Sequence, residues 1–417
     1  MTKEQLRLRY MAVVRSKAGP AGVEGDVAFL PMEAVGDSGD FDRKSLRPAQ
    51  QIASGYSYFE EGDIVRARVT PCFENGKGAV LHGLVGGRGF GSTELIALRP
   101  LPGNDPRFIY YVLTSHPFTE QGTAWLYGAH GVKRVPEKLF RDFIAWSPAG
   151  ETQRKVADYL DRETARIDAL IEKKERLVQL LEERLEAAIT ILVVGADIGK
   201  RRSTGSKFVP QIPEAWELQP LRRIASRIDV GIAEAATHAY ADAGVAILRS
   251  TNIRPNEIRT NDLLYIEPWF AERNSTKYLH AADLITVRTG KAGVTAVVPP
   301  ELDRTQCFTM LMTTLIPPHN SLFFAYFLNS MPARRYFHAT AWGTAQPNIS
   351  VPILGSAPVP VPPGSVQREI ADRITAIVRV ADGAADRLRE QVGILHERRQ
   401  ALITAAVTGQ FDVSGAA

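Results

Sequence analysis

Gln153-Arg154-Lys155-Val156-Ala157-Asp158 and Gln367-Arg368-Glu369-Ile370-Ala371-Asp372 stand 214 residues apart, and this repeat decides how the chain is organised. Carried on at that offset, Asp168 falls on Asp382, Glu183-Arg184 on Glu397-Arg398, Ile189-Thr190 on Ile403-Thr404 and Gly195 on Gly409. Between residues 151 and 195, 14 of 45 positions are identical without a gap, far more than unrelated sequence shares. A solenoid repeats every 20 to 50 residues or so. A period this long instead marks two globular domains, each followed by one long helix.

The helices follow from composition and spacing. From Glu151 to Val194 there is neither Pro nor Gly, and Leu, Glu, Lys, Arg and Ala dominate; these residues lose little rotamer freedom in a helix. Val156, Leu160, Ile167, Leu170, Leu177, Leu181, Leu185, Ala188 and Leu192 fall in steps of three, four or seven, which makes one apolar stripe. Such a helix is roughly 65 Å long, longer than a small domain is wide, so part of it projects beyond its own lobe. Pro148 and Gly150 punctuate its start and Gly195 its end. The second copy carries Ile370, Ile374, Ile377, Ala381, Leu388, Leu395 and Leu402, weakened by Gly383 and Gly393 at about 1 kcal/mol each relative to Ala. Two matching stripes in one chain are expected to bury against each other as an antiparallel pair, with the lobes at opposite ends about a pseudo-two-fold. A parallel pair would set the lobes side by side. The other arrangement packs each helix on its own lobe and on a dimer partner.

The lobes repeat as well. Each opens with a short amphipathic segment, Leu6–Tyr10 or Leu221–Ile224, followed by a strand-like run, Val27–Leu30 or Val245–Leu248. Asp63-Ile-Val-Arg-Ala-Arg68 then aligns with Asp283-Leu-Ile-Thr-Val-Arg288, and Gly78–Val80 with Thr295–Val297. Phe108–Leu113 and Phe323–Leu328 read as aromatic helices whose rings serve the core rather than base stacking. Each lobe closes on a segment leading into its helix: Gly128-Ala-His-Gly-Val-Lys-Arg-Val135 with Trp146-Ser-Pro148, and Trp342–Ser350 with Pro358–Pro363. Short strands, turns and a few helices predict an α+β lobe on a mixed or antiparallel sheet. The expected divisions are residues 1–149, the first lobe; 150–196, the first spacer helix; 197–363, the second lobe; and 364–417, the second helix and tail.

Composition narrows the function. The 417 residues are 45% hydrophobic and 23% charged, ordinary for globular protein. No run of 18 apolar residues exists to span a membrane, and the polar, basic start is no secretory signal, so a reducing cytoplasm is expected. Cys72 and Cys307, without CxxC or CxxH neighbours, read as packing residues or free thiols. Residues 1–148 carry 18 basic and 16 acidic side chains and residues 195–363 carry 17 and 13, whereas 151–194 carry 8 and 10. Mildly basic lobes on a neutral or acidic spacer suit two contacts with one polyanion. Gly195-Ala-Asp-Ile-Gly-Lys-Arg201 has one residue too few for a phosphate loop, and Arg stands where Ser or Thr would bind Mg²⁺. GxGxxG after a strand, HExxH, GxSxG and the Asp/Asn-Pro-Pro-aromatic signature of amino methylation do not occur. Asp63 and Asp283, alike in position, are either turn-closing side chains or carboxylates for catalysis; the turn is the reading expected.

In this order, the whole chain resembles the specificity (S, HsdS) subunit of Type I restriction–modification systems. The resemblance rests on residues 153–174 (from Gln153-Arg154 through Asp168 to Lys174), Pro213-Glu-Ala-Trp216, Gly343-Thr-Ala-Gln-Pro-Asn-Ile-Ser350 and Arg398-Arg-Gln-Ala-Leu-Ile403. The first lobe departs from it. It has no Pro-x-x-Trp opening, and Val132-Lys-Arg-Val135 stands for Gln346-Pro-Asn-Ile349, so either the chain begins late or this lobe is of a divergent type.

The resemblance implies two target-recognition domains, each reading half of a bipartite, asymmetric site on double-stranded DNA. The helices would pair as an antiparallel coiled coil that sets the unread gap. It also implies no catalysis and no cofactor in this chain. Two modification (methyltransferase) subunits and the restriction/translocase subunits would use S-adenosylmethionine, ATP and Mg²⁺ in host defence. By position, the expected DNA contacts are Arg66, Arg68, Lys77, Arg88, Lys133 and Arg134 in the first lobe, and Arg249, Asn252, Arg254, Arg288, Lys291, Gln346 and Asn348 in the second. For each, the alternative is a solvated or structural polar side chain; Gln346 and Asn348 could instead cap a turn. A competing function is a protein-binding scaffold whose helices dock other helices; a third is an enzyme with an unrecognised site.

Overall fold

The computed structural model describes residues 4–15, 19, 24–52, 55–128, 133–234, 237–343 and 347–410. Contacts divide the chain into two units, Met1–Glu175 with Arg389–Ala417 and Arg176–Leu388. The division falls inside each long helix rather than at the lobe–helix borders near Ala149, Ala196 and Pro363.

In the first unit the lobe is built on two four-stranded sheets. One is antiparallel, in the order Ala12–Val14, Leu95–Pro100, Ile64–Ala67, Gly78–Val80. The other runs Leu46–Pro48, Asp26–Leu30, Arg88–Gly91, Ser57–Glu60, and its one parallel pair sets Phe29 opposite Phe90. Every residue of Ile64–Ala67 is buried. The period of two explains how: Ile64 joins Phe108, Ile109 and Val112 of helix Pro106–Thr114, while Val65 and Ala67 join Ala28, Leu30 and Phe59 of the mixed sheet. The antiparallel sheet is therefore the middle layer.

The lobe of the second unit repeats this plan. Its antiparallel sheet runs Ala225–Val230, Leu311–Leu315, Leu284–Thr286, Thr295–Val297. Its mixed sheet runs Tyr240–Ala241, Leu264–Ile266, Val245–Leu248, Gln306–Cys307, the last two strands parallel. Leu284 faces Phe323 and its cluster; Ile285 and Val287 face Leu248 and Cys307. Both aromatic helices are core, as expected, with Phe108–Leu113 and Phe323–Leu328 buried throughout. Asp105 caps the first through Arg107 N and Phe108 N, and Asn320 caps the second through Phe323 N.

The repeated glutamine has a physical role in both units. Gln153, 1% exposed, accepts from Asp105 N at 3.0 Å and donates to Asn104 Oδ1 at 3.1 Å and Pro148 O at 2.9 Å. Gln367, 0% exposed, accepts from Asn320 N at 2.8 Å, donates to Pro362 O at 2.7 Å and shares a 3.1 Å contact with His319. Each ties the first turn of a long helix to the cap of an aromatic helix. No apolar residue could satisfy these buried groups.

The long helices are Gly150–Val193 and Gly364–Val407, each uninterrupted. In the first unit Val156, Ala157 and Leu160 share a core cluster with Ile403, Ala406 and Val407, and Asp168 pairs with Arg399 at 2.9 Å. In the second, Leu192 and Val193 share one with Ile370, Ala371 and Ile374, and Asp197 pairs with Arg373 at 3.1 Å. Inside each unit, then, the start of one helix lies with the end of the other. Packing departs from the expected stripe at Leu170 and Leu177, 47% and 50% exposed; Ile171 is buried instead, one full turn after Ile167. Among the described residues no helix is long and apolar enough to cross a membrane. Cys72, partly exposed, and Cys307, buried, are both free thiols.

Candidate functional site

Both lobes carry one backbone frame where the central strand of the antiparallel sheet ends. In the first lobe the chain leaves that strand at Arg68, Val69 bridges to Arg134, and Arg134 bridges to Tyr127. Arg134 N donates to Tyr127 O at 2.8 Å, Tyr127 N donates to Arg134 O at 3.1 Å, and Val135 N donates to Arg68 O at 2.7 Å. In the second lobe Thr289 bridges to Asn348 and Asn348 to Trp342. Trp342 N donates to Asn348 O at 3.1 Å, Asn348 N to Trp342 O at 3.0 Å and Ile349 N to Arg288 O at 2.9 Å. Arg68 thus corresponds to Arg288, Arg134 to Asn348 and Tyr127 to Trp342. Of the aligned segments, Lys133–Val135 and Pro347–Ile349 take one local structure in the two lobes.

Three of the expected first-lobe contacts come together on this frame. Arg68 Nη2 donates to Tyr127 Oη at 2.9 Å. Arg134 grips Glu94, with Nε 2.9 and 3.0 Å from its oxygens and Nη2 at 2.8 Å. Lys133 is exposed, its backbone tied to Thr70 at 2.9 and 3.2 Å. In the second lobe Arg288 Nε donates to Asn348 Oδ1 at 3.2 Å, and Asn348 Nδ2 to Thr289 Oγ1 at 3.2 Å. Lys291 is exposed in the turn that follows. Gln346 lies outside the described residues.

The remaining expected contacts lie elsewhere, and two are internal. Arg66 is fully buried; its guanidinium donates to Leu113 O at 3.1 Å, Lys77 O at 3.0 Å and Phe73 O at 2.8 Å, and lies 4.9 Å from the centre of the Phe73 ring. Burial lowers its pKa to about 10. Buried and bonded to three carbonyls, it holds the lobe together and does not reach the surface where DNA was expected to meet it. Asn252, 3% exposed, accepts from Arg249 N at 2.9 Å and donates to Arg259 O and Asp262 O at 3.2 and 3.1 Å, so it too is structural. Arg249 pairs with Asp262 at 2.7 Å, and Arg254 Nη1 reaches Thr251 O and Ile253 O at 3.2 and 3.1 Å. Lys77 Nζ reaches Met32 O at 3.4 Å, and Arg88 is half-buried at the start of a mixed-sheet strand.

Asp63 and Asp283 close turns. Asp63 accepts from Glu60 N at 2.7 Å and Asp283 from His280 N at 3.0 Å, three residues back in each case. Asp63 also pairs with Arg15 and Arg99, and Asp283 accepts from Thr314 Oγ1 at 2.6 Å.

The residues that sequence reasoning did not single out are the two rings. Tyr127 is 52% exposed and Trp342 77%. Each is followed by a glycine at positive φ, Gly128 at 137° and Gly343 at 90°, a backbone that a side chain would strain. That matched aromatic–glycine pair, just before Lys133-Arg134 and Pro347-Asn348, was the available signal.

The fold and site define a class: an α+β chain of two lobes and two long helices whose lobes present unlike side chains on one frame. No family model matches. Among curated proteins the chain is similar to the Type I restriction enzyme EcoEI specificity subunit of Escherichia coli, 23% identical over 479 residues covering 93% of this chain and 79% of that one. It is 31% identical to the EcoAI specificity subunit of the same species over 154 residues, 36% of this chain and 26% of that protein. Two solved structures share the fold. One is a chain from work on complex assembly and conformational transition of the type I R-M system, with TM-score 0.71, 16% identity and 98% of both chains covered. The other is the HsdS subunit from Thermoanaerobacter tengcongensis, with TM-score 0.54, 14% identity, and 98% and 97% covered. The likeness to Type I specificity subunits thus runs over most of the chain.

Proposed function

We propose that this chain is the sequence-specific DNA-recognition subunit of a Type I restriction–modification complex, itself without catalysis. Each lobe reads one half of a bipartite, asymmetric site. The long helices set the unread gap between half-sites, as an antiparallel coiled coil. Adenine methylation and cleavage belong to partners, two modification subunits and the restriction/translocase subunits, which use S-adenosylmethionine, ATP and Mg²⁺ in the cytoplasm.

The observation that carries this reading is the repeated frame, which keeps an arginine at one place, Arg68 and Arg288, and differs at the others, Tyr127 and Arg134 in one lobe and Trp342 and Asn348 in the other. A polyanion suits exposed Lys and Arg, while Arg and Asn can hydrogen-bond base edges through two atoms at once. Like readers favour a palindrome and unlike ones an asymmetric site.

Methylation-sensitive sequencing of DNA from cells expressing the chain with its cognate modification subunit tests the proposal. The expected result is a new methylated motif of two unlike half-sites around a constant gap. An assembled complex that adds no motif, together with salt-insensitive binding of a protein partner and no affinity for duplex DNA, would overturn it in favour of a scaffold.

A further inference from the structure

We infer that Trp342 and Tyr127 are base-contacting side chains, each ring stacking on a nucleobase of the DNA that lies on its lobe; this rests on the DNA-recognition reading. A single exposed apolar residue is common on protein surfaces and means little. Four observations set these two apart. They occupy the same place on the frame in both lobes, although Arg134 of one lobe is replaced by Asn348 in the other. Each backbone is held by a reciprocal pair of hydrogen bonds, to Arg134 or Asn348, and followed by a positive-φ glycine, so the ring is presented from a defined position. Among the described large hydrophobic side chains Trp342 is the most exposed, at 77%. Finally, each ring's neighbourhood includes an arginine of the frame: the Tyr127 hydroxyl accepts from Arg68, while Trp342 is paired through its backbone with Asn348, whose side chain receives Arg288.

The chemistry identifies the occupant. An aromatic ring near a guanidinium group suits a partner with anionic oxygens and flat π faces a few ångströms apart, which a nucleotide strand supplies. A ring that enters a base step as a wedge gains stacking while the neighbouring cations hold the phosphates. The rings then contribute affinity that does not depend on the hydrogen-bonding code of the bases, and they mark where each half-site is distorted.

The test uses the full chain and a duplex pool of mixed sequence carrying a fluorescent end label, at low salt. Polarisation of the label reports binding. The emission difference between wild type and Trp342→Phe isolates Trp342 from the other four tryptophans. The expected result is that this emission is quenched, and protected from acrylamide, with the same midpoint as the polarisation rise. Trp342→Ala should weaken binding about tenfold, with Trp342→Phe near wild type. Tyr127→Ala should weaken it similarly, with Tyr127→Phe spared. Binding with unchanged Trp342 emission and accessibility, and alanine variants equal to wild type, would overturn the inference and leave the DNA reading standing. No polarisation rise from a chain with native circular dichroism would remove the DNA reading and the inference with it.

Discussion

One register position in the two antiparallel sheets is filled in two ways. In the first lobe Arg66 stands opposite Gly78; in the second Thr286 stands opposite Thr295, their hydroxyls 2.8 Å apart. A Cβ on Gly78 would come within 3.0 Å of the Arg66 side chain and 2.7 Å of Val65 O, so the large residue depends on the missing one. Two medium side chains solve the same problem across the other sheet. At the outer end of the same strands the frame is again shared, with an arginine in both lobes, while Tyr127 and Arg134 of one lobe give way to Trp342 and Asn348 of the other. The mixed sheets differ further: the fourth strand, Ser57–Glu60, pairs with Arg88–Gly91 in one lobe, while Tyr240–Ala241 pairs with Leu264–Ile266 in the other. The lobes keep backbone geometry and vary what fills and decorates it. That division lets one fold carry unlike surface chemistry.

The comparison can be broken first at the buried pair. Arg66→Ala leaves three carbonyls without their donor and an empty volume, at a cost of about 4 kcal/mol. Thr286→Val costs about 1 kcal/mol. Urea unfolding of both variants measures this, and equal losses would contradict the greater dependence of the first lobe on its one large buried side chain. The glutamines should behave alike: Gln153→Leu and Gln367→Leu each strip a buried amide of its partners and cost about 3 kcal/mol. A loss confined to one would show that the helix–cap tie matters in only one unit. On the surface, Arg68→Ala and Arg288→Ala are each expected to weaken specific DNA binding by roughly 1–3 kcal/mol and to relax preference at one position, in opposite half-sites. Methylome sequencing of the variants reads this directly; relaxation of the same half-site by both would contradict one reader per lobe.

The smallest effect sharpens the edge-strand difference. Hydrogen bonding from the Tyr58 hydroxyl, then from Arg15 and Arg99, holds the Glu60 carboxyl at about 2, below its ordinary 4.5. Because the folded value is the lower one, the stabilisation is complete above pH 4.5 and is lost as pH falls through about 2. The group is a third exposed, so Glu60→Gln should cost under about 1 kcal/mol at pH 7, with the gap from wild type closing in acid.

Much of this architecture was legible because it is written in local patterns. The 214-residue offset, the helix periodicity and the aligned runs Asp63–Arg68 and Asp283–Arg288 all depend on neighbours in sequence, as do the turn-closing aspartates. The fate of individual arginines was not legible by position alone. Arg66 and Arg68 are two residues apart, yet one is core and the other surface, because the strand ends at Ala67 between them. The unbroken apolar run Ile64-Val65 and Ala67 around Arg66 was the clue, since it signals a strand covered on both faces. Asn252 gave no such clue; its partners Arg259 and Asp262 meet it only through a turn. Spacing places Leu170 on the stripe, whereas packing buries Ile171, four residues after Ile167.

The way the long helices are shared between units bears on the order in which the molecule is made. The second unit is one continuous stretch, Arg176–Leu388, whereas the first needs Arg389–Ala417 as well. Ile403, Ala406 and Val407 sit in the same cluster as Leu8, Phe108 and Phe140. On the ribosome, the first lobe therefore waits, with part of its core uncovered, until Ile403, Ala406 and Val407 have emerged. Its sibling can close while translation is still under way. Joining such distant segments carries the entropic cost of a long loop. An already folded second unit shortens that search by holding residues 176 and 388 within one body, so the helix end that completes the first lobe is translated only after the second lobe.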